Sequence, residues 1–147
     1  MANRRIKSLL FGMGLGLLLL GFLLFNIVAH EAGHWAIADS FGLEPKIHLF
    51  ESYSSGKISL FTPNFFTTYN SVDSDLVDAT IASAGPLANM LITICLIAAY
   101  FAVPKEKRTF RVKLIFTVLL IPSIISVIAN MLPIPFNDGS MIWSYLR

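Results

Sequence analysis

The stretch SLLFGMGLGLLLLGFLLFNIVAHEAGH occupies residues 8–34 and joins 22 uncharged residues, Ser8 to Ala29, to two histidines and a glutamate. About 20 helical residues cross the hydrocarbon core of a bilayer. The run is therefore long enough to span, and its polar end falls where a spanning helix would leave the apolar layer. It follows Arg4, Arg5 and Lys7, as a secretory signal also would. It is longer than the roughly 7–15 apolar residues of such a signal, and cleavage near Ala29 would sever the helix from the cluster it carries.

Two more apolar runs follow, at about residues 79–103 and 114–132. Of the 147 residues, 55% are hydrophobic and 14% charged, against roughly 25% charged in an ordinary soluble domain. Mean hydropathy is +0.69. One small water-soluble core cannot hide that much apolar surface, so a soluble enzyme is excluded and the lipid bilayer is the natural solvent. A net charge of +2 is too small to suggest nucleic acid as a partner. The single cysteine, Cys95, lies inside the second run, and no intrachain disulfide is possible. The expected fold class is an all-α membrane protein, one domain over residues 1–147. Three transmembrane helices are predicted at about 8–38, 79–103 and 112–132, with a short C-terminal helix after them.

Between the first two runs the sequence changes character. Lys46-Ile-His-Leu-Phe50 and Lys57-Ile-Ser-Leu-Phe61 flank Glu51-Ser-Tyr-Ser-Ser-Gly56. Two short apolar-rich stretches around a Ser/Gly turn predict a small β-hairpin at about residues 46–61. The aromatic and polar stretch Phe65-Phe66-Thr67-Thr68-Tyr69 suits a membrane interface. Asp73, Asp75 and Asp78 precede the second run, where acidic groups favour a helix N-terminus.

His30 and His34 are four residues apart, about 40° around a helix of 3.6 residues per turn. Two imidazoles on one face can hold one zinc ion, and Glu31 beside them can take a proton from a water that the metal activates. The competing reading is a polar helix end at the lipid interface. Ionisable groups at membrane depth are costly and usually functional, which favours the metal site. Catalytic zinc usually has three protein ligands. Cys95 reads as packing and His48 as solvated. Asp138, in Asn130-Met-Leu-Pro-Ile-Pro-Phe-Asn-Asp138-Gly139, is the better third ligand, although the same residues also read as a turn. With one crossing between them, the first and third helices run the same way, so His30 and Asp138 emerge at one leaflet. The second helix begins there too, bringing Ala84-Gly85-Pro86-Leu87-Ala88-Asn89 close.

These motifs resemble, in order, those of the site-2 proteases, which are intramembrane zinc metalloproteases. His30-Glu31-x-x-His34 is similar to the family's zinc helix, Gly85-Pro86-Leu87-Ala88-Asn89 to its G-P-x-x-N element, and Asn130-x-x-Pro133-x-Pro135-x-x-Asp138-Gly139 to its N-x-x-P-x-P-x-x-D-G element. The resemblance implies zinc on His30, His34 and Asp138, and Glu31 as the base. It implies that Asn89 and Asn130 position substrate or stabilise the oxyanion, and that the hairpin is a membrane-associated segment able to hold an unwound substrate by strand addition. The expected activity is hydrolysis of peptide bonds in transmembrane or membrane-associated proteins. The alternative is a catalytically inactive metal-binding membrane protein with a scaffolding role. Ser140 stands where the family often has a second glycine, and the chain reads as a minimal three-helix core without PDZ or CBS domains.

The expected location is a multi-pass protein of the cell membrane, with homo-oligomers possible. Three crossings put Arg4, Arg5, Lys7, Lys105, Lys107, Arg108, Arg111 and Lys113 on one side, leaving Lys46, Lys57 and Arg147 on the other. The positive-inside rule then places the N-terminus in the cytoplasm and the zinc face outside. The resemblance implies the opposite, a catalytic face near the cytoplasm.

Overall fold

A computed structural model describes residues 2–49, 52–54, 57–59, 65–134 and 137–147. Helix α1 (Ala2–Ser40) leads through four short strands to α2 (Asp75–Ala102), a 3-10 turn at Lys105–Lys107, α3 (Phe110–Met131) and α4 (Asp138–Tyr145). Three of the described helices, α1, α2 and α3, are long and apolar enough to cross a membrane. At about 1.5 Å per residue, the 39 residues of α1 run roughly 58 Å, about twice the thickness of a bilayer core. Its leucines are largely open, Leu17 at 70% and Leu9 at 64% exposure. Apolar surface that extensive marks a contact with something other than water.

Local chemistry sets the helix ends. At the end of α1, Gly42 takes φ +71°, the Gly42 amide donates to Asp39 O at 2.8 Å, and the Leu43 amide reaches back to Ala38 O at 3.1 Å. This pair of bonds is a glycine C-cap that satisfies carbonyls the helix would leave open. Asp75 and Asp78 occupy the first turn of α2. Thr109 caps α3, its side chain accepting from the Val112 amide. Asn137 caps α4 by accepting from the Ser140 amide at 3.2 Å, while its own amide group donates to Ala129 O at 2.7 Å. That second bond ties the start of α4 back to the last turns of α3.

The strands correct the expected hairpin. β1 (Lys46–Leu49) pairs antiparallel with β4 (Phe65–Thr68), with Lys46 opposite Thr68 and Leu49 opposite Phe65. The Lys57 stretch instead pairs close to the turn, as β3 (Lys57–Ser59) on β2 (Ser52–Ser54). The described strands thus form two two-stranded sheets, β1 with β4 and β2 with β3, and Phe65–Thr68 of the aromatic stretch is a strand. The difference has a tertiary cause. The Asn70 amide donates to Leu43 O at 2.9 Å, and Thr67 bonds to α1, which fixes β4 beside β1. Within the expected turn, Glu51, Ser55 and Gly56 lie outside the described residues, as do Phe50, Leu60 and Phe61.

The buried interior is small and sits where α1, α2 and α3 meet. It holds Ala38, Ala79, Ile81, Ala82 and Ala84 together with polar Asn26, His30, Glu31, His34, Asn89, Thr93 and Ser123. Small residues let the backbones approach. A Cβ on Gly33 would stand 2.6 Å from Ala84 O, so α1 and α2 cross as closely as glycine allows. Hydroxyls join α2 to α3: Thr93 Oγ1 lies 2.6 Å from Ser123 Oγ. Interhelical bonds of this kind contribute about 0.6 kcal/mol each in a membrane protein. They fix register more than they add stability.

Candidate metal centre

His30, Glu31 and His34 project from the last third of α1, all buried, with one ligand atom from each lying within 4.8 Å of the others. Such a group can hold a metal ion. The two imidazoles meet at 3.2 Å between their Nε2 atoms. Asp138, the first residue of α4, reaches both: Oδ2 is 2.8 Å from His30 Nε2, and Oδ1 is 3.4 Å from His34 Nε2. The structure therefore brings His30, His34 and Asp138 to one point, with Glu31 alongside.

Each group is held from behind. His34 Nδ1 donates to Ile81 O at 2.7 Å, because a carbonyl oxygen only accepts. In the neutral ring this leaves the Nε2 lone pair facing the cluster. Such outer partners fix the tautomer and orientation of a ligating histidine. Thr67 Oγ1 stands 2.9 Å from Glu31 Oε2 and 3.1 Å from Glu31 O, its one proton shared between them. Burial by itself would raise the Asp138 carboxyl, but the two imidazoles it faces hold it at about 2. Burial pushes the Tyr69 phenol up to about 12, helped by Asp78, whose Oδ1 accepts from the phenol at 3.2 Å.

Gly85 is what lets the cluster form. A Cβ built there would run into His34 Nε2 and lie 2.7 Å from His30 Nε2. Its missing side chain therefore opens the place toward which both nitrogens point. Pro86 follows inside α2, where its ring removes a backbone donor. Gly139 is constrained in the same way, since a Cβ would run into Leu132 O and block the turn of α4 onto the cluster.

A cavity of about 340 Å³ opens on the site, its wall including Glu31, Phe66, Thr67, Tyr69, Asn130 and Asp138. Asn130 thus faces this cavity. Asn89 does not line it: this side chain is 1% exposed, and its Nδ2 is 3.3 Å from His30 Nδ1, on the far side of that ring. His48 bonds to Thr68 Oγ1 at 2.9 Å and stacks on Phe66. Cys95 lies on α2, exposed, beside an apolar groove with Phe22 and Phe25. Pro135 of the third motif lies outside the described residues. Thr67, Tyr69 and the Ile81 carbonyl were not legible in the sequence, since nothing in their local pattern sets them apart. Gly85 carried a signal, a Gly-Pro pair inside an apolar run.

The chain matches no protein-family model, and no curated protein or solved structure matches it. The centre is therefore read from its own geometry.

Replacing Gly85 with Ala should leave α2 helical, since Ala favours helix, but should weaken metal binding by more than about 100-fold, the upper end for losing an outer-shell partner. Competition between the purified chain and a metal chelator measures this. Tyr69 should ionise near pH 12, against 10.0 for the free phenol. The folded chain favours the neutral phenol, so the associated stability is complete below the free value and is lost as pH rises through about 12. Tyrosinate absorbance of wild type minus Tyr69→Phe follows the titration, which should move down in Asp78→Asn.

Proposed function

We propose that the chain is an integral-membrane zinc metalloprotease of the site-2 kind. It hydrolyses peptide bonds of transmembrane or membrane-associated proteins and binds one zinc ion through His30, His34 and Asp138. The observation that carries this reading is the ligand triangle. Zinc bonds of about 2.0–2.2 Å to nitrogen and oxygen in a tetrahedron imply ligand-to-ligand edges of about 3.3–3.5 Å. The imidazoles stand 3.2 Å apart, and Asp138 reaches them with different oxygens, Oδ2 at 2.8 Å from His30 and Oδ1 at 3.4 Å from His34, so the carboxylate must draw back from His30 to admit an ion between the three side chains. The Gly85 opening lies at that triangle, and an oxygen-and-imidazole donor set suits zinc.

A bound zinc supplies a Lewis acid that lowers the pKa of water and polarises the scissile carbonyl. The chain does the rest. Glu31, fixed by Thr67 at the cavity wall, takes a proton from the attacking water and returns it to the leaving amine. Asn130, on the same wall, offers an amide donor to the oxyanion. A transmembrane helix hides its carbonyls in hydrogen bonds, so the substrate must unwind first. Phe65, Phe66 and Thr67 of β4 border the cavity, and an extended segment laid along this strand would bring its carbonyls to Glu31. The apolar faces of α1, α2 and α3 fit a multi-pass protein of the cell membrane.

Glu31→Gln should retain one zinc per chain and lose cleavage of membrane peptides by about 100-fold or more, within the range for a positioned acid–base group. Metal content of the purified variant, together with a comparison of membrane peptides from cells bearing wild type or variant, checks both halves. Undiminished cleavage would overturn the assignment. A wild type that binds zinc and cuts nothing would favour the scaffolding alternative.

A further inference from the structure

Asn89 lies one helical turn beyond Gly85 on α2 and is 1% exposed. Its Nδ2 stands 3.3 Å from His30 Nδ1 and 2.8 Å from Ser126 Oγ on α3. Its Oδ1 is buried without a hydrogen-bond partner. With the amide so oriented, its nitrogen donates to His30 Nδ1, which must carry a lone pair. A neutral His30 then has its proton on Nε2, directed at Asp138 Oδ2, 2.8 Å away. This arrangement is self-consistent, but it closes Nε2 to a metal.

A metal ion on His30 Nε2 needs the lone pair there, which moves the ring proton to Nδ1. An amide nitrogen cannot accept that proton in a hydrogen bond. Rotating the Asn89 amide by half a turn exchanges two groups of nearly the same shape and puts Oδ1 where Nδ2 stands. The oxygen then accepts from His30 Nδ1 and from Ser126. Serine suits position 126 because its hydroxyl both donates and accepts, so it serves either orientation. One proton changes place on one ring, from Nε2 to Nδ1, with no net gain or loss.

We propose that Asn89 is a positioning residue, with its amide oxygen holding His30 in the Nδ1-protonated tautomer and Ser126 fixing the amide. The inference rests on the zinc reading above and gives Asn89 a task other than contact with substrate. It separates donor from acceptor in a way that substitution can read. Asn89→Leu removes both groups at similar size. Asn89→Asp keeps the acceptor and loses the donor.

The test is zinc affinity of the full-length chain in detergent, by chelator competition, for wild type, Asn89→Leu, Asn89→Asp and Ser126→Ala. Asn89→Leu should bind about 10–100-fold more weakly, the usual consequence of losing a histidine's outer partner, and Ser126→Ala should fall between it and wild type. Asn89→Asp should bind at least as tightly as wild type. Asn89→Leu with wild-type affinity, or Asn89→Asp as weak as Asn89→Leu, would overturn the proposal. Wild type without zinc affinity would instead remove the metal reading itself. If Asn89→Leu fails to fold, imidazole 15N NMR of zinc-loaded wild type decides: a proton on His30 Nδ1 supports the assignment, and a bare Nδ1 defeats it.

Discussion

Two imidazole nitrogens 3.2 Å apart, met by the Asp138 carboxylate, leave no room for a side chain from α2, and α2 yields that space at Gly85. The helices can come that close only because Gly33 meets the Ala84 carbonyl at the same crossing. The small residues at the crossing thus serve the cluster as well as the packing. Any side chain at Gly85 would fill the space, and any bulk at Gly33 would move α2 and its Ile81 carbonyl away from His34. The return of α4 obeys the same constraint, because Gly139 must pass against Leu132 for Asp138 to reach the imidazoles.

Around that point the interior is polar in a chain whose outer faces are apolar. His30 touches Asn89, Asn89 touches Ser126, and Thr93 bonds to Ser123 one turn further along. Helices this apolar would gain little from hydrophobic contact with one another if a membrane surrounded them, and small residues and hydrogen bonds would then decide how they register. The seam runs from α1 through α2 to α3 and ends at the cluster. It converts a loosely driven association into a defined arrangement of ligand groups. Thr67 extends the same control to Glu31 from the strand side, coupling β4 to α1.

Caps and acidic first turns, not hydropathy, set the polar ends: α2 and α3 start at Asp75 and Phe110, ahead of the expected 79 and 112, and α1 runs on to Ser40, well past the apolar run that ends at Ala29. Asp75 and Asp78 sit in the first turn of α2, and Gly42 closes α1. The strand partners were less accessible. Lys46–Leu49 and the Lys57 stretch look alike in sequence, yet β1 pairs with β4. Short strands carry little register information of their own, and contacts with α1 decide between neighbours.

The sequence by itself determined the three apolar helices and the helical spacing that puts His30 and His34 on one face. Both follow from local rules, the length of an apolar run and the pitch of a helix. Only the tertiary structure decided that Asp138 meets both rings, that Gly85 faces them, that Asn89 stands behind His30 and that Thr67 holds Glu31. Those contacts join residues 36 to more than 100 positions apart. Their distances depend on how closely helices cross, and that is set by packing of backbones no local pattern describes.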